Sequence, residues 1–437
     1  MASSGRVLSY DLTPSPRTVF GCLLPAPWAG VIAGLLLAFG PQAGVPDQFS
    51  PLVLAVVHWL VLGMLMPIMI GAMFQMFPVI AGQPVPGSAR IAPFVALTGS
   101  LAALCLSIGF LGNHQSGFMI AATLALLLLL SVGSALALGG YRVVAVDATT
   151  ATFRLIALPV VFTLSLGAAL ATILGGYSAL PFDTLLSLHI GWALVGWVGT
   201  LLISVATTVV PMFWQIPKPY PLWQKILPWS LWLPLLLATL MSLLQTNGDP
   251  DQLHYWWSLP AAVVLLLGAI GFASLLRAQR RFDPAWPLWV CAALGWVTAA
   301  ILFILLPLLP SAIAANAPWW IGICVLVAGA VAPINAMLGK IIPFLVFLHL
   351  RRALPGQKEI KSMHEIVSPR MKGLQAYLLL FAILVLLAVP LAPSYLATLG
   401  GLLFSASQTM LGVLLIKALM QFRSSLRVGR ETKTSST

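Results

Sequence analysis

The sequence predicts an all-α polytopic membrane protein of about twelve transmembrane helices, arranged as three pseudo-repeats of four. Three observations predict it. Apolar residues make up 60% of the 437 and charged residues 7%, with a mean hydropathy of +1.01. Soluble domains carry roughly 25% charged residues, so this surface must be solvated by lipid. Runs of about 20 apolar residues, the length a bilayer-spanning helix needs, recur from Phe20 to Met420. Finally, the Lys and Arg residues outside those runs fall in every second connection.

The predicted spans are 20–40, 52–80, 91–111, 118–139, 155–176, 184–212, 227–245, 258–276, 286–309, 319–348, 374–392 and 396–420. A segment 1–19 precedes this single domain (20–420), and a tail 421–437 follows it. The second, sixth and tenth spans are the long ones and are expected to tilt or reach into the interface. The loop cations test the count. Arg6 and Arg17, Arg90, Arg142 and Arg154, Lys218 and Lys225, and Arg277, Arg280 and Arg281 all fall on one side. So do Arg351, Arg352, Lys358, Lys361, Arg370 and Lys372, and the tail cations Arg423, Arg427, Arg430 and Lys433. The intervening connections PQAGVPDQFS, GNHQSG, GYSALPFD and QTNGDPDQLHYWW hold no Lys or Arg. The cationic side is the cytoplasmic one, which places both termini there. The net charge of +12 is thus an orientation signal, and the partner it implies is the bilayer rather than nucleic acid. The N-terminus lacks a basic-then-apolar layout with a small-residue cleavage site, so the first span is expected to be retained. Cys22, Cys105, Cys291 and Cys324 all lie in apolar runs and read as free buried thiols.

A weak internal repeat organises the spans. The second ends in QMFPVIAGQPVP, the sixth in TVVPMFWQIPKPYP and the tenth in KIIPFLVF. Pro78, Pro211 and Pro343 stand at almost equal intervals along the chain, and His58 and His189 are separated by nearly the same interval. That interval is four spans long, so spans two, six and ten take equivalent places and run in one direction.

Acidic residues are confined to the connections and the terminal segments, which leaves no intramembrane carboxylate of the kind proton-coupled carriers use. No carboxylate pair, Ser/His/Asp set or phosphate loop is present. His58 and His189 are therefore the informative pair. Each stands about five or six residues inside its span, at one depth in the outer third given a rise of about 1.5 Å per residue. An imidazole in hydrocarbon needs a hydrogen bond or a metal. Two histidines bonding between helices is the plain reading; two ligands to haem iron or copper is the sharper one. Ala193 and Gly196 share the face of His189, and Leu62, Leu65, Met69 and Met76 that of His58. Met64, Met66, Met69, Met73 and Met76 read as gap-filling packing, with thioether ligation of haem iron or Cu(I) as the functional alternative. Lys340 is expected to snorkel to the inner interface, with a polar or proton path through Lys340, Gln75 and Asn335 as the functional alternative. His114, His254, His349 and His364 read as solvated.

Twelve spans, a four-helix period, a histidine near the outer end of spans two and six, and the pattern HxxxLG followed by GAMFQMFPVIAG resemble the haem–copper oxidase subunit I superfamily. They look most like single-subunit relatives of its cbb3-type catalytic subunit and of the nitric-oxide-stress haem–copper proteins. The resemblance implies three four-helix arcs around cofactor pores, a bacterial inner (plasma) membrane location, and a haem b held by His58. His189 would then bind the same iron or copper, and a redox partner or other membrane subunits would be expected. The seventh span, ILPWSLWLPLLLATLMSLL, lacks the histidine pair of the oxygen-reducing centre, and the tenth has only His349, at the wrong end. A complete terminal oxidase is therefore not expected. The expected functions are electron transfer, nitric-oxide handling or haem and copper homeostasis. A small-solute permease and a non-catalytic membrane partner subunit are the alternatives.

Charge segregation carries a direct test. Reporters fused within 81–90 and 349–373 should read cytoplasmic, and one near Asn247–Asp251 external. An external signal from 349–373 would overturn the span count.

Overall fold

The computed structural model describes residues 9–217, 221–244, 250–354 and 362–434. Arg6, Lys218, Asn247, Asp249, Lys358, Glu359 and Lys361 lie outside the described residues, as do the side chains of Asp251, Arg430, Glu431 and Lys433. Twelve helices long and apolar enough to cross a membrane are present among the described residues: α1 Pro16–Phe39, α2 Pro51–Ala81, α3 Ser88–Gly112, α4 Gln115–Tyr141, α5 Ala157–Leu174, α6 Phe182–Trp214, α7 Trp223–Leu244, α8 Gln252–Leu275, α9 Trp286–Leu308, α10 Ala317–Ala353, α11 Pro369–Leu387 and α12 Pro393–Arg427. No strand occurs among them. Hydrocarbon cannot bond to backbone amides, so each segment satisfies its own as a helix.

Three departures from expectation concern the ends. At 31, 33 and 37 residues α2, α6 and α10 are long, but α12 reaches 35, because the tail continues its helix instead of leaving it. Lys417, already inside the expected span 396–420, stands in α12 and is exposed on its surface, a cation within a span besides Lys340. The connection holding Arg142 and Arg154 contains a short helix, Ala148–Leu155, which Asp147 opens with a capping box to Thr150. Its Thr149 and Thr152 hydroxyls bond to Ser204 on α6, and Thr149 also to Thr208.

Consecutive helices pack as neighbours, and α12 returns against α1 to close the ring. The bilayer offers no hydrophobic drive between helices, so close approach and interhelical hydrogen bonds hold them. The α1–α12 seam shows both. Gly34 lies so near α12 that an added Cβ would come 2.6 Å from the Gly401 carbonyl oxygen. The Ser405 hydroxyl donates to the Val31 carbonyl at 3.0 Å, and Thr398 to that of Ala38 at 3.1 Å. Large apolar side chains such as Leu97, Leu130, Leu240 and Leu384 face outward. In a membrane this is the wetted surface rather than a liability. Burial grades the ring: 78% of the most apolar stretch of α10 is buried, against 17% in α8.

Inside the ring α10 touches both α2 and α6. All three helices depart from α geometry twice. Each has a proline within its C-terminal half, Pro78, Pro211 or Pro343. Each widens to a π-helical segment in its N-terminal half: Trp59–Leu65, Trp192–Gly199 and Ile323–Val331. A shorter π segment, Leu129–Gly133, occurs in α4. Gly63, Gly196 and Gly329 occupy the π segments of α2, α6 and α10 at equal intervals along the chain. The glycines and prolines thus keep nearly one register. The histidines do not share it: one glycine interval on from His58 falls on Gly191, just past His189.

The α1–α12 seam generates a prediction. Gly34→Ala drives a methyl into the backbone of α12, an overpacking that costs about 1–3 kcal/mol. Unfolding of the purified protein in detergent should show a lower midpoint, while Ala substitution at Gly271, where nothing lies within 4 Å of an added Cβ, should be tolerated.

Candidate functional site

Two cavities lie along the helices that meet at the centre. The larger lies along the N-terminal halves of α2, α6 and α10 and measures about 760 Å³. That is within the roughly 300–1,000 Å³ of small-molecule sites. His58 and His189 both line it. His58 ends the regular helix Pro51–His58, and the π segment of α2 starts at the next residue. His189 stands in the last turn of Phe182–Gly191, just before the π segment of α6. Widened turns of this kind recur at functional sites.

Each ring is fixed by a backbone carbonyl. His58 Nδ1 donates to Leu54 O within α2 at 2.7 Å, and His189 Nδ1 to Thr163 O on α5 at 3.1 Å. A carbonyl can only accept, so Nδ1 carries the proton, and in the neutral imidazole Nε2 keeps a lone pair. Among the described residues neither Nε2 has a hydrogen-bond partner. Phe110 leans on His58 with ring centroids 5.5 Å apart. His189 packs against Gly167, where an added Cβ would lie 3.0 Å from its Cε1.

The wall is mostly apolar, with Leu62, Phe110, Leu164 and Ala193 around the histidines. Its outer end reaches the exposed Gln48 and Asn113. Of the small residues expected beside His189, Ala193 does line the cavity. Gly196 does not: it packs on Trp192 and Leu235, and its carbonyl accepts from Trp232 Nε1 at 3.0 Å. Leu62, Leu65 and Met69 face the cavity as the helix periodicity implies, and Met76 lines the second one. Among the described residues no group of three or more His, Cys, Asp or Glu could hold a metal ion. The four cysteines are free, with Cys22 and Cys324 buried and Cys105 and Cys291 partly so.

The second cavity, about 90 Å³, lies on the proline side of α2, α6 and α10 and is lined by all three. Gln75 faces it from α2, and its Oε1 has no partner. Asn335 turns elsewhere, donating through Nδ2 to Gln408 Oε1 on α12 at 3.4 Å. Lys340 is ion-paired with Asp283, ahead of α9, and lies 5.7 Å from the ring centre of Trp214. An internal partner thus replaces the expected snorkelling. No hydrogen bond joins Lys340, Gln75 and Asn335 to one another among the described residues. His254 and His349 are not simply solvated either. His254 stacks on Phe303 at 5.0 Å, His349 meets Phe422 edge-on, and the Nε2 of each is buried without a partner.

Sequence reasoning missed the carbonyl of Thr163, the clearance at Gly167 and the pairing of Asp283, all of which depend on helix rotation. It also missed the buried Thr149, Thr152 and Ser204 hydroxyls, although the TTATF run before α5 signalled a polar seam. Compared with models of protein families the chain matches none, and it matches no curated protein.

The Lys340–Asp283 pair carries a prediction about stability. Asp283→Asn leaves a largely buried ammonium without its counter-charge, at a cost of about 1–3 kcal/mol or more. The double variant Lys340→Met/Asp283→Asn removes both charges and should recover much of the loss. Melting curves of the purified variants check the order.

Proposed function

We propose that this multi-span membrane protein is a haem-binding relative of the haem–copper oxidase subunit I superfamily that transfers electrons and does not reduce oxygen. The observation that carries the reading is the histidine pair. His58 and His189 face one large apolar cavity, each with Nδ1 held by a backbone carbonyl and Nε2 free to bind. A metal-ligating histidine characteristically donates its other ring N–H in this way, which sets the tautomer and the ring orientation. A porphyrin supplies four nitrogens of its own, so His58 and His189 would be the two protein ligands of its iron. No further His, Cys, Asp or Glu joins them in a group of three among the described residues, which favours a shared haem iron over a separate copper site.

The residues fit the group in three respects. The cavity is of cofactor size, its wall is apolar as a macrocycle face requires, and its outer end reaches exposed polar residues where propionates can meet water. Haem b, when bound, supplies one-electron redox chemistry. His58 and His189 would hold it, Phe110 and Gly167 would set the angle of the two rings, and the apolar wall would exclude water. With both histidines on the iron no site would remain for a gas, and spans seven and ten lack the histidines of the oxygen-reducing centre. Electron transfer therefore fits better than gas chemistry. The position of the π segments, and the regular spacing of the glycines and prolines along the chain, support the four-helix repeat on which the superfamily reading rests.

Absorption spectroscopy of protein purified after expression with ample haem tests this. The wild type should show a Soret band of six-coordinate low-spin haem. His58→Ala should lower haem occupancy sharply while leaving insertion intact, since removing one polar residue eases insertion. His189→Ala should convert low-spin haem to high spin. Loss of copper with an unchanged haem spectrum would instead assign His189 to copper. A wild type without Soret absorbance would overturn the reading and leave the permease and the partner subunit.

A further inference from the structure

Where the α8–α9 connection meets α10 and α11, the chain places Arg277, Arg280, Arg281, Lys340, Arg370 and Lys372 against a single carboxylate, Asp283. Three contacts bring these segments together. Lys340 is ion-paired with Asp283. An added Cβ at Gly339, next to Lys340, would lie 3.4 Å from Lys372 Cδ. One at Gly373, next to Lys372, would lie 3.7 Å from Pro284 Cβ. Asp283 is thus already taken by Lys340. Lys372, only partly exposed between the helices, takes part in no hydrogen bond or ion pair among the described residues. Arg277, Arg280, Arg281 and Arg370 are exposed around it. Uncompensated positive charge at the edge of hydrocarbon favours an anion beside it.

The surface that continues from these cations is apolar. Leu374, Tyr377, Phe381 and Leu384 are exposed and follow the spacing i, i+3, i+7, i+10 along α11, so they form one outward face. Arg370 stands one turn before Leu374, at the head of that face. Phe282, beside Arg281, is fully exposed as well. We infer that this corner binds an anionic phospholipid. Its headgroup answers the cations of the α8–α9 connection and of the first turn of α11, and its acyl chains lie along the exposed face of α11. Basic pockets between membrane helices recognise anionic headgroups in this way. The charge selects an anionic headgroup over a zwitterionic one, and the apolar face selects a lipid over a free anion. The inference is independent of the haem reading, because none of these residues lines the histidine cavity.

Native mass spectrometry of the purified full-length protein in detergent, titrated with phosphatidylglycerol or phosphatidylcholine, provides the test. The wild type should keep phosphatidylglycerol under conditions that strip phosphatidylcholine. Arg280→Gln/Arg370→Gln changes two exposed side chains that make no hydrogen bond or ion pair among the described residues. It should weaken phosphatidylglycerol binding by about tenfold or more, since each cation beside an anionic lipid contributes about fivefold. Arg90→Gln/Arg142→Gln removes the same charge from other exposed connections and should bind as the wild type does. Excess inorganic phosphate should not displace the lipid, because it has no chains to lay on α11. Equal loss in the two double variants would reduce the effect to general surface charge and overturn the inference. Equal retention of the two lipids, or displacement by inorganic phosphate, would overturn it too, and these two wild-type measurements decide the matter if the Arg280→Gln/Arg370→Gln protein does not fold.

Discussion

Hydrocarbon cannot hydrogen-bond, and each feature of this molecule answers to that constraint. A backbone carbonyl freed inside the membrane must find a donor within the protein. The π segments of α6 and α10 free such groups, and tryptophans on neighbouring helices meet them. Trp232 Nε1 on α7 bonds Gly196 O, and Trp296 Nε1 on α9 bonds Gly329 O at 3.1 Å. These two carbonyls belong to glycines separated along the chain by the same interval as Gly63 and Gly196. The bonds tie the central helices to the outer ring at the level where the helices widen.

The same constraint governs the histidines. An imidazole left without a partner at this depth is costly, and the bonds to Leu54 and Thr163 remove half of that cost for each ring. They leave Nε2 in each case facing a space too large to be closed by side chains. Below it, methionines of α2 and α10 line a smaller, apolar chamber without imidazole. The two chambers share Met69 in their walls. Widening and proline in each central helix thus divide the interior into an upper and a lower room.

The candidate site was partly legible. His58 and His189 stood out because imidazole is rare in hydrocarbon, and their equal depth followed from counting residues along a helix. Lys340 and Asn335 were legible as polar residues in apolar runs, but their partners were not, because Asp283 and Gln408 come from distant parts of the chain. The methionines read as packing for a physical reason. Periodicity taken along α2 alone cannot show that Met337 on α10 lines the same cavity as Met69, Met73 and Met76.

By itself the sequence determined the solvent and the number of spans, and it placed the spans though not their ends. Each of these follows from local composition: a run of apolar residues either is or is not long enough for a bilayer, whatever its neighbours do. It also determined the regular spacing of the central spans, because prolines and glycines leave marks that can be counted. Only the tertiary structure decided which faces meet. Helix rotation turned Gly196 away from the histidine cavity and Ala193 into it. It brought Thr163 to His189 and Asp283 to Lys340. Rotation is set by packing between helices far apart in the chain, and in a span apolar on every side no local pattern records it.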